Sequence, residues 1–321
     1  MVLTPQPGDT FQKQQEFEIW YDNKLIAAHF VKDIKMQDSR VTITGNDVLS
    51  KLDSGKVSWS EAPFETLPGE QSEGQSEEQE KNTFRSCLYA ILKGKQGEDV
   101  PSVLLDEENS DAALLSSSLK CKLPEEVSRR EALTAVCLAM GAYVDTSGSA
   151  GIIIRSAREA LHAASEEDSE EDNTQEDVRE IPEVHVFSGD STEIKESYRT
   201  LTIKYKDGSG TEGKSETVKN SMYPDSTQEL ELDLTMLNIE SIDTGEGYPT
   251  LWAYLNGLKD LYANYYFRSE FYTAKAVMGE DIAIGDRVTV NEKDAFLTQR
   301  TLNLDGDKMI ADGTYKLVKG R

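Results

Sequence analysis

From Val127 to Arg155 the order of apolar and polar residues predicts a helix followed by a hairpin. Ser128 and Glu131 have capping-box spacing, in which the serine oxygen accepts the Glu131 amide and the carboxylate reaches back to the Ser128 amide. Ala132, Leu133, Val136, Cys137 and Met140 then recur on one helical face, and Gly141 can take the left-handed conformation that ends a helix. The helix is expected over roughly Arg129 to Met140. Ala142-Tyr143-Val144 and Ile152-Ile153-Ile154 are strand-like, and the glycines of Ser147-Gly148-Ser149-Ala150-Gly151 between them suit a turn.

The same reading organises the rest of the chain. Residues 1–15 are polar, with Pro5, Pro7 and Gly8, and predict an extended arm. Phe17, Ile19 and Tyr21 alternate with Glu18 and Trp20, and Asn23-Lys24 turns the chain into an apolar run from Leu25 to Val31, which predicts a hairpin. Arg40 to Asn46 continues as strand, with Asn46 or Asp47 placed to cap a short helix over Val48, Leu49 and Leu52. Phe84, Cys87, Leu88 and Ile91 predict a second helix, capped by Asn82 or Thr83 and stopped at Gly94. Further strands are expected at 184–187, 198–205, 214–219, 230–234, 271–278, 287–290, 296–304 and 315–318, with Asp305-Gly306 as a hairpin turn. Leu251, Tyr254, Leu255, Leu258, Leu261, Tyr262 and Tyr265 form the stripe of a long helix, from about Thr250 to Tyr266, that must pack on a sheet.

Two stretches break the pattern. Residues 68–80 and 165–180 are acidic and nearly free of apolar side chains, as expected of solvated loops and linkers. They divide the chain into an N-terminal β-rich region (1–66), an acidic loop (67–82), an α+β subdomain (83–164), an acidic linker (165–182) and a C-terminal β-rich domain with one long helix (183–321). The fold class expected is α+β, dominated by β structure.

A formal net charge of −25 disfavours tight binding to nucleic-acid phosphates through the overall field. No run reaches membrane-spanning length, and the N-terminus lacks a basic segment followed by an apolar one, so synthesis in the cytoplasm is expected. Cys87, Cys121 and Cys137 lack Cys-x-x-Cys spacing and read as buried free thiols.

Candidate chemistry is sparse. Gly208-Ser-Gly-Thr-Glu-Gly213 matches a dinucleotide fingerprint in letters, but the polar, β-like residues after it read as a hairpin rather than a phosphate-holding helix. Asp243-Thr244-Gly245 occurs once and reads as a turn before the long helix. Asp305-Gly306-Asp307 and Asp312 lack a calcium loop's ligand series and read as tight turns, and His29, His162 and His185 lack zinc-ligand spacing. No catalytic residue, cofactor or metal is therefore expected, and no enzyme. Arg129 and Arg130 stand at a helix start, where the macrodipole disfavours cations, so an exposed partner surface or pairing with Glu125 and Glu126 is expected to hold them.

The helix-hairpin unit also resembles a known family. Ser128-Arg-Arg-Glu-Ala-Leu133, Ala139-Met-Gly-Ala-Tyr-Val-Asp145 and Ile152-Ile-Ile-Arg155 are similar to phage and prophage tail proteins related in fold to baseplate hubs. Val31-Lys-Asp-Ile34 leading to Arg40–Leu49, and Ile284-Gly-Asp-Arg-Val288, resemble that family's N- and C-terminal strands. The two acidic inserts depart from its pattern. The resemblance implies barrel-like β domains in a virion tail, a trimer or ring about the tail axis, and contacts with tube, tape-measure or baseplate proteins. An assembly surface at Arg129, Arg130 and Tyr143 is expected. The alternative is a tail-tip module that binds host surface or polysaccharide through Trp20, Trp59, Trp252 and some of the thirteen tyrosines.

Overall fold

The computed structural model describes residues 2–3, 12–13, 15–21, 23–37, 40–57, 83–94, 99–124, 126–158, 179–182, 185–208, 213–277, 282–305 and 308–318. The acidic stretches 68–80 and 165–178, with Trp59 and His162, lie outside these residues. The fold is α+β and β-rich, and the chain divides into two compact units, Met1–Arg155 and Ser156–Arg321.

The first unit opens with strands β1 (Val2–Leu3), β2 (Glu16–Tyr21), β3 (Lys24–Gln37) and β4 (Arg40–Asn46), antiparallel in the order β1-β4-β3-β2. Asn23, at φ 63°, makes the tight turn between β2 and β3, as asparagine can at low cost. The start of the expected arm is β1, paired with β4. Val31, Val41 and Ile43 form this sheet's small core, with Phe17 and Ile34 against it. The helix expected after β4 is instead a 3-10 turn, Val48–Asp53. Asp47 makes no side-chain cap there; its carbonyl accepts from the Ser50 amide at 3.1 Å and the Ser50 hydroxyl at 2.7 Å.

Strand β5 (Lys56–Val57) leads to helices α1 (Phe84–Lys93) and α2 (Ala112–Ser116), strands β6 (Ser118–Cys121) and β7 (Val127–Ser128), helix α3 (Arg129–Met140), and strands β8 (Ala142–Asp145) and β9 (Ile153–Ser156). Each helix start carries its sequence signal. Thr83 caps α1, Asp111 caps α2, and Ser128 with Glu131 closes the predicted capping box on α3. Gly141 ends α3 in the left-handed region (φ 65°). Phe84, Leu88, Ile91, Ala132, Val136, Ile152 and Ile154 are fully buried, so α1, α3 and the β8–β9 hairpin share one core. This part does not stand apart from the N-terminal sheet. The Gly148 amide donates to the Ile26 carbonyl at 3.0 Å, and β5 pairs with β7.

The second unit contains β10 (Arg179–Ile181), β11 (Val186–Ile194), β12 (Tyr198–Tyr205), β13 (Lys214–Lys219), β14 (Gln228–Asp233), β15 (Ile239–Asp243), helix α4 (Leu251–Tyr266), β16 (Glu270–Val277), β17 (Arg287–Val290), β18 (Lys293–Asp305) and β19 (Lys308–Leu317). Six strands in the order β10-β17-β18-β19-β16-β11 make a nearly closed, barrel-like sheet. Its core holds Ile181, Tyr272, Val288, Ala295, Leu297 and Tyr315. The end of the expected acidic linker is strand β10, because Ile181 pairs with Val290 and supplies the apolar contact that the residues before it lack.

Strands β13-β12-β14 form a second sheet. Leu201, Ile203 and Tyr205 alternate inward along β12, and α4 packs on β12 and β13. Thr250 caps α4. Gly257 lies within α4, although glycine weakens helices by about 1 kcal/mol relative to alanine. A Cβ there would stand 3.0 Å from the Tyr248 hydroxyl, so the close packing of that ring accounts for it.

Candidate functional site

Helix α3 is where the sequence places a partner surface. The structure gives its first two arginines different work. Arg129 is fully buried. Its Nε donates to the Ile91 carbonyl at 2.8 Å, Nη1 to the carbonyls of Pro101 at 2.9 Å and Lys51 at 3.3 Å, and Nη2 to the Leu92 carbonyl. Ile91 and Leu92 lie in the last turn of α1, whose carbonyls have no partner within their own helix. Their partial negative charge favours a cation. The position that is poor for a cation at the start of α3 is therefore good for one at the end of α1. The expectation that Arg129 belongs to an exposed assembly surface is corrected: its guanidinium is withdrawn from solvent and spent on carbonyls of its own unit.

Arg130 is half-exposed. It pairs with Asp53 at 2.5 Å, and its Nη2 donates to the Leu49 carbonyl at 2.6 Å, so it ties α3 to the 3-10 turn. Glu126, expected to pair with these arginines, instead bonds Lys56 at 3.0 Å, while Glu125 lies outside the described residues. Tyr143 is half-buried on β8. The three residues thus share one helix-hairpin unit but no single exposed face.

Of the motifs with formal resemblance to chemical sites, residues 209–212 and 306–307 lie outside the described residues. Tyr205 pairs with Lys214, so the glycine-rich stretch joins β12 to β13. The Asp243 carboxylate accepts the Gly245 amide at 2.9 Å, which makes the expected turn. Asp312, read as part of a tight turn, lies within β19 opposite Thr301. Among the described residues no group of His, Cys, Asp and Glu is placed to hold a metal ion, and no helix is long and apolar enough to cross a membrane. Cys87, Cys121 and Cys137 are buried free thiols. Burial pushes the Cys137 thiol up to about 12; the hydrogen bond with Cys121, then burial, raises Cys87.

Two buried cations in the second unit escape a reading by motif. Arg158 donates to the Tyr248 hydroxyl at 2.8 Å, pairs with Glu246 at 2.8 Å, and stacks against the rings of Tyr248 and Tyr254. Lys316, 1% exposed, places its ammonium 4.2 Å from the Tyr265 ring centre, 5.1 Å from Phe271 and 5.3 Å from Tyr266. Only the apolar and aromatic density around each lysine or arginine in three dimensions distinguishes these cations, and it is contributed by distant segments.

With this architecture in view, comparison with solved structures is decisive for the fold. The chain superposes on the 43 kDa tail protein of prophage MuSo2 from Shewanella oneidensis with a TM-score of 0.55 and 11% identity, over 99% of this chain and 88% of that one. The fold is that of prophage tail proteins. A tail protein from Neisseria meningitidis MC58 matches with a TM-score of 0.53 and 12% identity, over 95% of this chain and 84% of that one. Prophage tail protein gp18 from Listeria monocytogenes EGD-e matches at 0.51 and 9%, over 99% and 84%. No protein-family profile and no curated relative matches the chain by sequence. The likeness is thus one of fold, at 9–12% identity.

Proposed function

We propose that this protein is a structural component of a phage tail or phage-tail-like particle, of the hub or baseplate type, that acts by assembly and not by catalysis. The observation that carries the reading is the likeness in fold to three prophage tail proteins along nearly the whole chain. In this reading the chain forms a trimer or ring in the virion tail and contacts tube, tape-measure or other baseplate proteins. Arg130 and Tyr143 are its nearest accessible candidates for an assembly contact on the α3 unit. A net charge of −25 would keep passing DNA from adhering to a lumen lined by this chain. Co-purification of the chain with intact tails, in a fixed copy number, tests the reading; recovery only as a free monomer from a lysate rich in tails would refute it.

The second reading is a tail-tip module that binds host surface or polysaccharide. Trp20 and Trp252 favour it, being 56% and 54% exposed. Their indole N–H groups already donate to Glu18 and Glu216, both at 2.8 Å, and Tyr254 and Tyr262 are buried on α4, which weigh for assembly.

A further inference from the structure

Lys316 lies on β19 between Tyr315 and Leu317, which point into the barrel core, so alternation along the strand sends its side chain out the other way. There it meets the last turn of α4. The ammonium sits against Tyr265, Tyr266 and Phe271, and its ion-pair partner is Glu196, 3.7 Å away. Glu196 belongs to the three-residue connection between β11 and β12. Its backbone is in the left-handed region (φ 54°), an unfavoured conformation for glutamate. Its carboxylate is about half-exposed, so the buried ammonium holds an otherwise solvated anchor.

We infer that Lys316 is a proton-sensitive pin between the barrel-like sheet and the β11–β12 connection: charged, it holds Glu196 in place; neutral, it releases it. Charged and titratable groups surround the ammonium from several elements, including Tyr198 at the start of β12, whose ring meets Tyr266 edge-on at 6.4 Å and whose hydroxyl is raised by burial and then by Glu196. From the connection come Glu196 and Lys195, whose ammonium lies 5.8 Å from the Phe271 ring centre and pairs with Glu193. From the end of α4 come Tyr265 and Tyr266, both raised chiefly by burial, Tyr265 to about 12. From the segment after α4 comes Arg268, which remains a cation and donates to the carbonyls of Asn264 at 2.9 Å and Val318 at 3.1 Å. Strand β16 contributes the Phe271 ring. Burial, partly offset by Glu196, pulls the Lys316 amine down to about 8, so in this cluster it is the group that changes charge in mildly alkaline solution. The pin does not rest on the tail reading and applies to the isolated chain.

The test is a pH titration of the full chain by NMR, following the Lys316 Cε, the Glu196 Cδ and the backbone amides of residues 195–197. The expected result is one shared midpoint near the Lys316 value, with line broadening of the three amides on its alkaline side. Lys316→Arg should hold the Glu196 and amide signals at their acidic-side positions throughout, because the guanidinium keeps its charge. Lys316→Met should leave them pH-independent at their alkaline-side positions. Glu196→Gln should lower the Lys316 midpoint by removing the anion that raises it. Amides that stay flat while Lys316 titrates, or a Lys316 midpoint in the ordinary lysine range, would overturn the inference.

Discussion

The Arg129 side chain at the start of α3 donates from Nε to the Ile91 carbonyl in the last turn of α1, at 2.8 Å. One residue thereby links two helix ends. It also reaches the carbonyl of Lys51 within the 3-10 turn, so three segments distant in sequence meet at a single buried guanidinium. Arg129→Ala would take the charged donor from the Ile91, Leu92, Lys51 and Pro101 carbonyls, the first three of which keep a second donor in the Gly94 amide, the Val103 amide and the Ser54 hydroxyl, at a cost of roughly 3 kcal/mol in denaturant unfolding of the isolated chain. Arg129→Lys keeps the charge but loses the planar fork, and should fall between the two. Equal stability of all three would show that the carbonyls find other partners.

Ser128→Ala removes the oxygen that accepts the Glu131 amide at 3.2 Å, and about 1 kcal/mol of stability should go with it. Gly141→Ala should cost about the same, since alanine must adopt φ 65° to preserve the stop of α3. Because the two sites lie at opposite ends of α3, their losses should add in the double variant, again measured by denaturant unfolding.

Thiol accessibility tests the first unit's core. Cys87, Cys121 and Cys137 are buried, and the raised Cys87 and Cys137 hold little thiolate at neutral pH. A chromogenic disulfide reagent should react with none of them in the native chain and with all three after unfolding. Rapid labelling of the native protein would contradict the packing of α1 and α3.

Global stability should respond to Lys316 with a definite sign. Burial lowers the amine from 10.5 to about 8 in the folded chain, so between these values the unfolded state binds more protons. Stability attributable to this group therefore rises as pH increases through that window. At neutral pH the buried ammonium is a net cost, on the order of 3 kcal/mol. Lys316→Met should raise stability near neutrality and abolish the alkaline increase in urea-unfolding free energy. A wild-type profile that falls from pH 8 to 10, and is unchanged in the variant, would contradict the burial of this charge.

Local signals made much of the fold legible. The Ser128/Glu131 box, Gly141, Thr83 and Gly94 mark helix ends through short-range hydrogen bonds and backbone geometry, and the structure uses all of them. Strands β12, β13 and β17 follow from period-two patterns in the same way. Long-range partnership was less legible. Ile181 looked like the end of a polar linker because Val290, more than a hundred residues later, supplies its strand partner. Strand β15 (Ile239–Asp243) passed unseen, since its short polar-apolar mixture resembles the approach to a turn. The place of Arg129 is hidden for a related reason: a cation at a helix start signals misfit only until the neighbouring helix end is in view. The helix-hairpin unit carries the family resemblance, and its first arginine serves the interior.

Membership of a tail assembly would make this chain a fixed component of the particle. Its most direct test is quantitative mass spectrometry of gradient-purified intact tails or tail-like particles from cells that express the gene, paired with electron microscopy of particles labelled through an antibody to this chain. The expected result is a constant small-integer copy number per particle, with label confined to the end of the tail. A chain absent from purified particles, with the full cellular pool recovered as free protein, would contradict it.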